Sequence, residues 1–174
     1  NAAETADLDP QITTAYSDGN ILMALFEGLT TLAEQTLAPL PSAAERWDVS
    51  PDGLTWTFHL RAGLRWSNGD RLVAADFVTS WQRLMNPAIA ADNAYLLYAV
   101  KNAEAINGGK LANLASLGVT ASDDRTLVVK LERPTPYFAQ LTASPPTFPI
   151  KPGLLEKFDG LTRRGTAWTR PENL

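Results

Sequence analysis

Between residues 54 and 83 the spacing of apolar residues switches from every second position to that of a helix, and no other stretch limits the fold so tightly. Leu54, Trp56, Phe58 and Leu60 alternate with Thr55, Thr57, His59 and Arg61. That alternation, rich in aromatic and β-branched residues, marks a half-buried strand. Asn68-Gly69-Asp70 then supplies a tight reversal, because Asn and Gly tolerate the positive φ of hairpin-type turns. From about Ala74 onward, Val73, Phe77, Trp81, Leu84 and Met85 fall on one face, with Thr79 and Arg83 off it. Strand, turn and amphipathic helix form one block, the nucleus of a mixed α/β layer.

The flanking chain fits around that block. Ile21, Leu22, Leu25 and Phe26 recur at helical spacing after a candidate N-cap at Ser17 or Asp18, and Gly28 is expected to end this helix in a left-handed conformation. Residues 29–32 read as extended, Pro39 and Pro41 as a linker-like crossing, and residues 44–49 as a strand. Ser50-Pro51-Asp52-Gly53 is turn chemistry that closes a hairpin onto the 54–61 strand. Asn86-Pro87 stops the 74–85 helix, and a second helix is expected over residues 92–107, with Tyr95, Leu96, Ala99, Val100, Ala103 and Ile106 on its apolar face. Residues 117–119 and 126–131 read as strands joined through Ser122-Asp123-Asp124-Arg125. A short helix at 137–141, an extended crossing at 144–149 and a last helix at 151–158 complete the pattern.

The block at the centre also carries a resemblance. The string D-G-x-T-W-T-F-H-L-R-x-G-x-x-W-S-N-G-D, followed by A-x-D-F-V-x-S-W-x-R, resembles the oligopeptide- and dipeptide-binding proteins of ABC transporters, solute-binding family 5. Leu25-Phe26-Glu27-Gly28-Leu29 upstream and Pro134-Thr135-Pro136-Tyr137-Phe138 downstream match in the same order. The resemblance implies an α/β (mixed α+β) fold on the type II periplasmic-binding-protein scaffold. It implies a partial first lobe with a small β-rich domain flanked by helices. Residues 1–38 would belong to the cleft lobe, 39–150 to the small domain, and 151–174 to the return into the lobe. Family members are considerably longer and grip ligand between two lobes. The chain therefore reads as an N-terminal piece that captures peptide weakly by itself.

In that family the F-E-G-L segment lies at the cleft, so the resemblance implies ligand contacts at Glu27, Gly28 and Leu29. It implies, more loosely, a cleft tyrosine at Tyr95 or Tyr98. Expected partners are a peptide ligand and the ABC permease of the inner membrane, with no nucleic acid, and the chain itself a monomer. Expected location is the periplasm or cell surface, with a signal peptide already removed: NAAETADLDP has neither a basic nor an apolar region. Dipeptide, sugar, metal chelate and haem remain open as ligands, and a stand-alone protein-interaction module remains a rival.

Residue chemistry narrows the alternatives. A net charge of −4 with scattered Lys and Arg lacks the basic stripe that a nucleic-acid backbone requires. With no cysteine there is neither a disulfide framework nor a thiol nucleophile. His59 is the single histidine and sits on the polar side of its strand, which fits a surface residue better than a general base. Asp123 and Asp124 are adjacent in a turn and point apart, and Asp7 and Asp9 precede a proline as turn formers. No G-x-G-x-x-G or P-loop string occurs, so nothing calls for a nucleotide, metal or other cofactor. Glu27 stands out on residue chemistry alone, as an acidic side chain where a helix ends and its dipole disfavours negative charge.

Overall fold

The computed structural model describes residues 7–14, 16–165 and 167–170. Its centre is strand β4 (Thr55–Leu60), whose alternation places Trp56, Phe58 and Leu60 in the core and leaves Thr55, Thr57 and His59 on the outer face. β3 (Ala44–Val49) lies on one side of β4, pairing Trp47 with Phe58. β6 (Thr126–Lys130) lies on the other, pairing Leu127 with Phe58 and Val129 with Trp56. β5 (Val119–Asp123) completes an antiparallel sheet of order β3-β4-β6-β5. Helix α2 (Ala74–Met85) covers the inner face with Phe77, Trp81, Leu84 and Met85, all fully buried. The Asp76 carboxylate accepts the Val73 N–H at 3.0 Å and so satisfies one of the free donors at the start of α2. Phe138 meets Trp56 and Trp81 edge-on, with ring centroids 5.6 and 6.3 Å away. Such aromatic pairs are each worth about 0.5–1.5 kcal/mol beyond their buried area.

The reversal between strand and helix is as the residue types require. Gly69 has φ +89°, and its N–H reaches the Trp66 carbonyl at 2.9 Å, closing the turn. α1 (Tyr16–Leu25) precedes a ribbon of β1 (Thr30–Leu32) and β2 (Pro39–Pro41), while α3 (Ala103–Asn107), α4 (Phe138–Leu141) and α5 (Pro152–Lys157) are short.

The structure departs from the expected pattern at several places. Pro39 and Pro41 do not cross as a linker but form β2, paired antiparallel with β1. A strand at the edge of a two-stranded ribbon can forgo the two missing N–H donors. The helix expected over 92–107 breaks into a 3₁₀ turn, Ala94–Leu97, and the short α3. Between them the backbone joins the sheet: Lys101 N–H donates to the Lys130 carbonyl at 2.8 Å, and Gly118 N–H donates to the Lys101 carbonyl at 2.9 Å. Those long-range bonds outcompete the helical ladder, and Tyr95, expected on the apolar face, is left 59% exposed. Pro145–Thr147 forms a 3₁₀ turn rather than an extended crossing.

Gly28 has no positive φ. Its requirement is space, since a Cβ there would lie 2.5 Å from Phe148 Cε1 and 2.6 Å from the Thr142 carbonyl oxygen. Asp18 is a buried residue of the first helical turn, and the alternative cap Ser17 has a side chain outside the described set.

Arg83, expected off the apolar face of α2, is buried at 1% exposure. Its Nη2 donates to Asp9 Oδ2 at 2.6 Å and its Nη1 to Gln11 Oε1 at 2.6 Å, while Nε donates to the Gly160 carbonyl. Asp9 is therefore more than a turn former, although its Oδ1 does accept the Gln11 N–H at 3.0 Å. Burial pushes the Asp9 carboxyl up, against the pull of the Arg83 guanidinium. A second, smaller core gathers Ile150, Leu155 and Trp168 around Phe26 from the start of the chain. Arg83→Ala is expected to cost about 3–5 kcal/mol in urea denaturation, because it strands a buried carboxylate. Replacing both partners, Asp9→Leu with Arg83→Met, is expected to recover most of that loss. A cost under about 1 kcal/mol for Arg83→Ala would mean that the pair is solvated in solution.

Candidate functional site

Where α1 runs out, its last residues meet the loop after β4 and the segment leading into α5. Between them lies an open cleft of about 1040 Å³. Its floor and walls mix apolar side chains, among them Leu25, Phe26, Leu64, Leu72 and Leu154, with six charged ones. This volume is at the upper end of small-molecule pockets and suits a longer, extended ligand.

Glu27 lines this cleft. Its Oε2 lies 2.5 Å from Arg61 Nη2, and its Oε1 accepts a hydrogen bond from Ser42 Oγ at 2.9 Å. Both charged partners are close to half exposed, at 43% and 46%. Arg61, the first residue after β4, thus offsets the negative charge that sits unfavourably just beyond a helix C-terminus. On the other side Lys151 Nζ donates to Asp70 Oδ2, which also accepts from Asn68 Nδ2 at 2.8 Å. Lys151 and Asn68 together hold the Asp70 carboxyl below the usual carboxylate range. Arg65 and Lys157 line the cleft as well, Arg65 Nη1 donating to the Gly69 carbonyl at 2.7 Å and Lys157 Nζ standing 5.3 Å from the Phe158 ring centre. Trp66 Nε1 donates to Asp76 at 3.2 Å, which ties the cleft wall to the first turn of α2.

The other candidate residues lie apart from this lining. Gly28 packs against Phe148, and Leu29 is wholly buried in the main core, so both support the position of Glu27 from behind. Tyr95 projects from the Ala94–Leu97 turn, and Tyr98 OH donates to Asn107 Oδ1 at 2.7 Å. Arg61, Trp66 and Asp70 sit in the string that carries the family resemblance, where Arg61 marks a strand end and Asp70 a turn, and Trp66 fits either core or rim. Lys151, Lys157 and Trp168 carry no local signal, since long-range packing alone brings them to the cleft.

Elsewhere, His59 Nε2 lies 2.8 Å from Asp48 Oδ2 on the outer sheet face. Asp123 accepts the Arg125 N–H, while Asp124 pairs with Arg71 at 3.0 Å, so the two adjacent carboxylates serve separate partners. Among the described residues no group of three or more His, Cys, Asp or Glu side chains is placed to hold a metal ion.

A mixed α/β frame with an open, partly apolar and partly charged cleft at its edge defines the class, a solute-binding scaffold of the type II periplasmic kind. The family described as "Bacterial extracellular solute-binding proteins, family 5 Middle" matches residues 38–171, and the chain belongs to it. The probable deoxycholate-binding periplasmic protein YgiS of Escherichia coli (strain K12) is 42% identical over 176 residues, covering 100% of this chain and 31% of that protein. The periplasmic oligopeptide-binding protein OppA of Haemophilus influenzae is 41% identical over 175 residues, covering 99% of this chain and 31% of its own length. The crystal structure of Haemophilus influenzae OppA in complex with RPPGFSPFR superposes with a TM-score of 0.89 at 42% identity, over 98% of this chain and 32% of that one. The chain thus spans about a third of the length of the curated relatives it matches.

The Asp70–Lys151 pair makes a pH statement. A carboxyl depressed in the fold adds stability above its ordinary value of 3.8, lost as pH falls through the lowered one. In a carbon-13 NMR titration Asp70 is expected to titrate below 3.8 in the parent chain and to move back towards 3.8 in Lys151→Met. An unchanged Asp70 titration would mean the two groups do not pair in solution.

Proposed function

We propose that this chain forms part of an extracytoplasmic binding protein that captures oligopeptides for an ABC importer. The observation that carries the reading is Glu27 at the cleft: the one acidic residue singled out in the sequence lines an open groove of peptide-sized volume. Likeness to oligopeptide-binding proteins along nearly the whole chain supports it. An extended peptide would be held largely through its main chain, with hydrated pockets receiving varied side chains. Glu27, Gly28 and Leu29 form the proposed binding segment, Glu27 facing the ligand and the buried Gly28 and Leu29 fixing its position, their carbonyls accepting the Ala43 and Ala44 N–H groups. Tyr95 and Tyr98 are a second proposed contact, made as a ligand or a facing lobe approaches the Ala94–Leu97 turn.

Residues 1–38 and 151–174 are proposed to belong to one lobe and 39–150 to a small domain beside it. The core shared by Phe26, Ile150, Leu155 and Trp168 supports that division. The protein acts as a binder rather than an enzyme, as a monomer outside the cytoplasm, and hands ligand to an inner-membrane permease after closure about a hinge. A second reading replaces the peptide with an amphipathic carboxylate. It is supported by the apolar residues and cations that share the cleft, and by likeness to a protein named as a probable deoxycholate binder.

With one wall of the clamp, affinity is expected to be low: calorimetric titration with tripeptides to pentapeptides should give dissociation constants above roughly 10 μM. Glu27→Gln is expected to change them at least about threefold, because it leaves Arg61 without its partner at the cleft. A Glu27→Gln variant that binds like the parent would remove the cleft from consideration. Binding of deoxycholate with no response to peptide would select the second reading.

A further inference from the structure

The polar groups of the cleft are unequally satisfied. Its two carboxylates are both engaged, Glu27 by Arg61 and Ser42, Asp70 by Lys151 and Asn68. Its four cations are not. Arg61 and Lys151 are held in those pairs, whereas neither Arg65 nor Lys157 has an acidic partner among the described residues. Arg65 uses one of its N–H groups on the Gly69 carbonyl, and a guanidinium has five. Lys157 rests near the Phe158 ring, which leaves the three ammonium protons free for another acceptor. The cleft is therefore cation-rich on a chain whose net charge is −4, and the apolar residues beside those cations limit competition from water.

We propose that the cleft selects ligands that carry negative charge alongside apolar groups, acidic peptides in particular, with Arg65 and Lys157 as the selecting residues. The proposal rests on the reading of this cleft as a peptide site. An acidic side chain, or the carboxylate at a peptide's end, gains two cations without breaking either existing ion pair. A basic side chain meets no free carboxylate among the described residues that line the cleft. To be bound it must take Glu27 from Arg61 or Asp70 from Lys151, and it then leaves a cation unpaired.

Chemical-shift titrations of the 174-residue chain with the pentapeptides AELEA, AQLQA and AKLKA test this. AELEA is expected to bind roughly five- to tenfold more tightly than AKLKA, the yield of two partly exposed ion pairs, with AQLQA between them. Raising salt from about 20 to about 300 mM should bring the three together. Arg65→Glu with Lys157→Glu should invert the order. Both side chains are exposed, so an unchanged melting temperature is the check that the variant is folded. Equal affinity for the three peptides would overturn charge selection and leave the peptide reading standing. An acidic preference that survives the double variant would overturn the assignment to Arg65 and Lys157. Absence of binding by all three at millimolar concentration would overturn the peptide reading and this proposal with it.

Discussion

The buried pair between Arg83 and Asp9 is what the rest of the molecule depends on. Removing a guanidinium and a carboxylate from water carries a desolvation cost of several kcal/mol per ion, so such a pair is tolerated only where geometry is good and every donor is used. Here the geometry is two-pronged, Nη1 and Nη2 each reaching one Asp9 oxygen. Nη1 donates also to Gln11 and Nε to the Gly160 carbonyl, so all three guanidinium nitrogens are engaged. Gln11 in turn donates to the Ser80 carbonyl on the same helix, and Ser80 Oγ accepts the Ile150 N–H at 2.8 Å. One face of α2 thereby holds three remote stretches of chain, around residues 9–11, 150 and 160. Of these residues only Ile150 lines the cleft, so the network fixes from behind the segments between which the cleft lies.

That dependence explains which parts of the molecule were legible in the sequence. The 54–85 block was readable because each of its residues answers to local rules: alternation for β4, Asn-Gly for the reversal, and a 3.6-residue stripe that begins at Ala74 and ends at Met85. Arg83 was misplaced because its partner lies 74 residues away and a lone arginine beside a helix stripe ordinarily points to water. The 92–107 segment was misread for a related reason. Its apolar spacing fits a helix, yet Lys101 is hydrogen-bonded on both sides to the sheet, and Asn102 takes a left-handed conformation at φ 66°. Gly28 drew attention correctly but for the wrong cause, because crowding by Phe148 leaves no trace in local sequence.

The candidate site divides in the same way. Glu27 was visible because an acidic residue just beyond a helix end is unfavourable without compensation. Arg61 supplies that compensation from just past the end of β4, 34 residues on, and only the fold could reveal it. Lys151 and Asp70 are 81 residues apart, and each looks ordinary alone. Glu27 and the residues from Arg61 to Asp70 lie in strings that the sequence displays, whereas Lys151 and Lys157 lie in none, and only packing joins the two sets.

The two ion pairs of the cleft differ from the Arg83 pair in one physical respect that bears on binding. Glu27 and Arg61 are close to half exposed, so water screens them and their mutual attraction is modest. Any surface that covers the cleft, whether a peptide or a facing lobe, lowers the local dielectric and strengthens pairs that are already formed. The same covering raises the cost of a charge left without a partner. Arg65 and Lys157 are in that position, each cationic and neither paired with a carboxylate among the described residues. Closing over an uncharged ligand would bury them at a loss, and closing over an anion would turn that loss into attraction. A rim of weak pairs, with two cations that lack an acidic partner among the described residues, thus makes the energy of covering the cleft depend on what it contains.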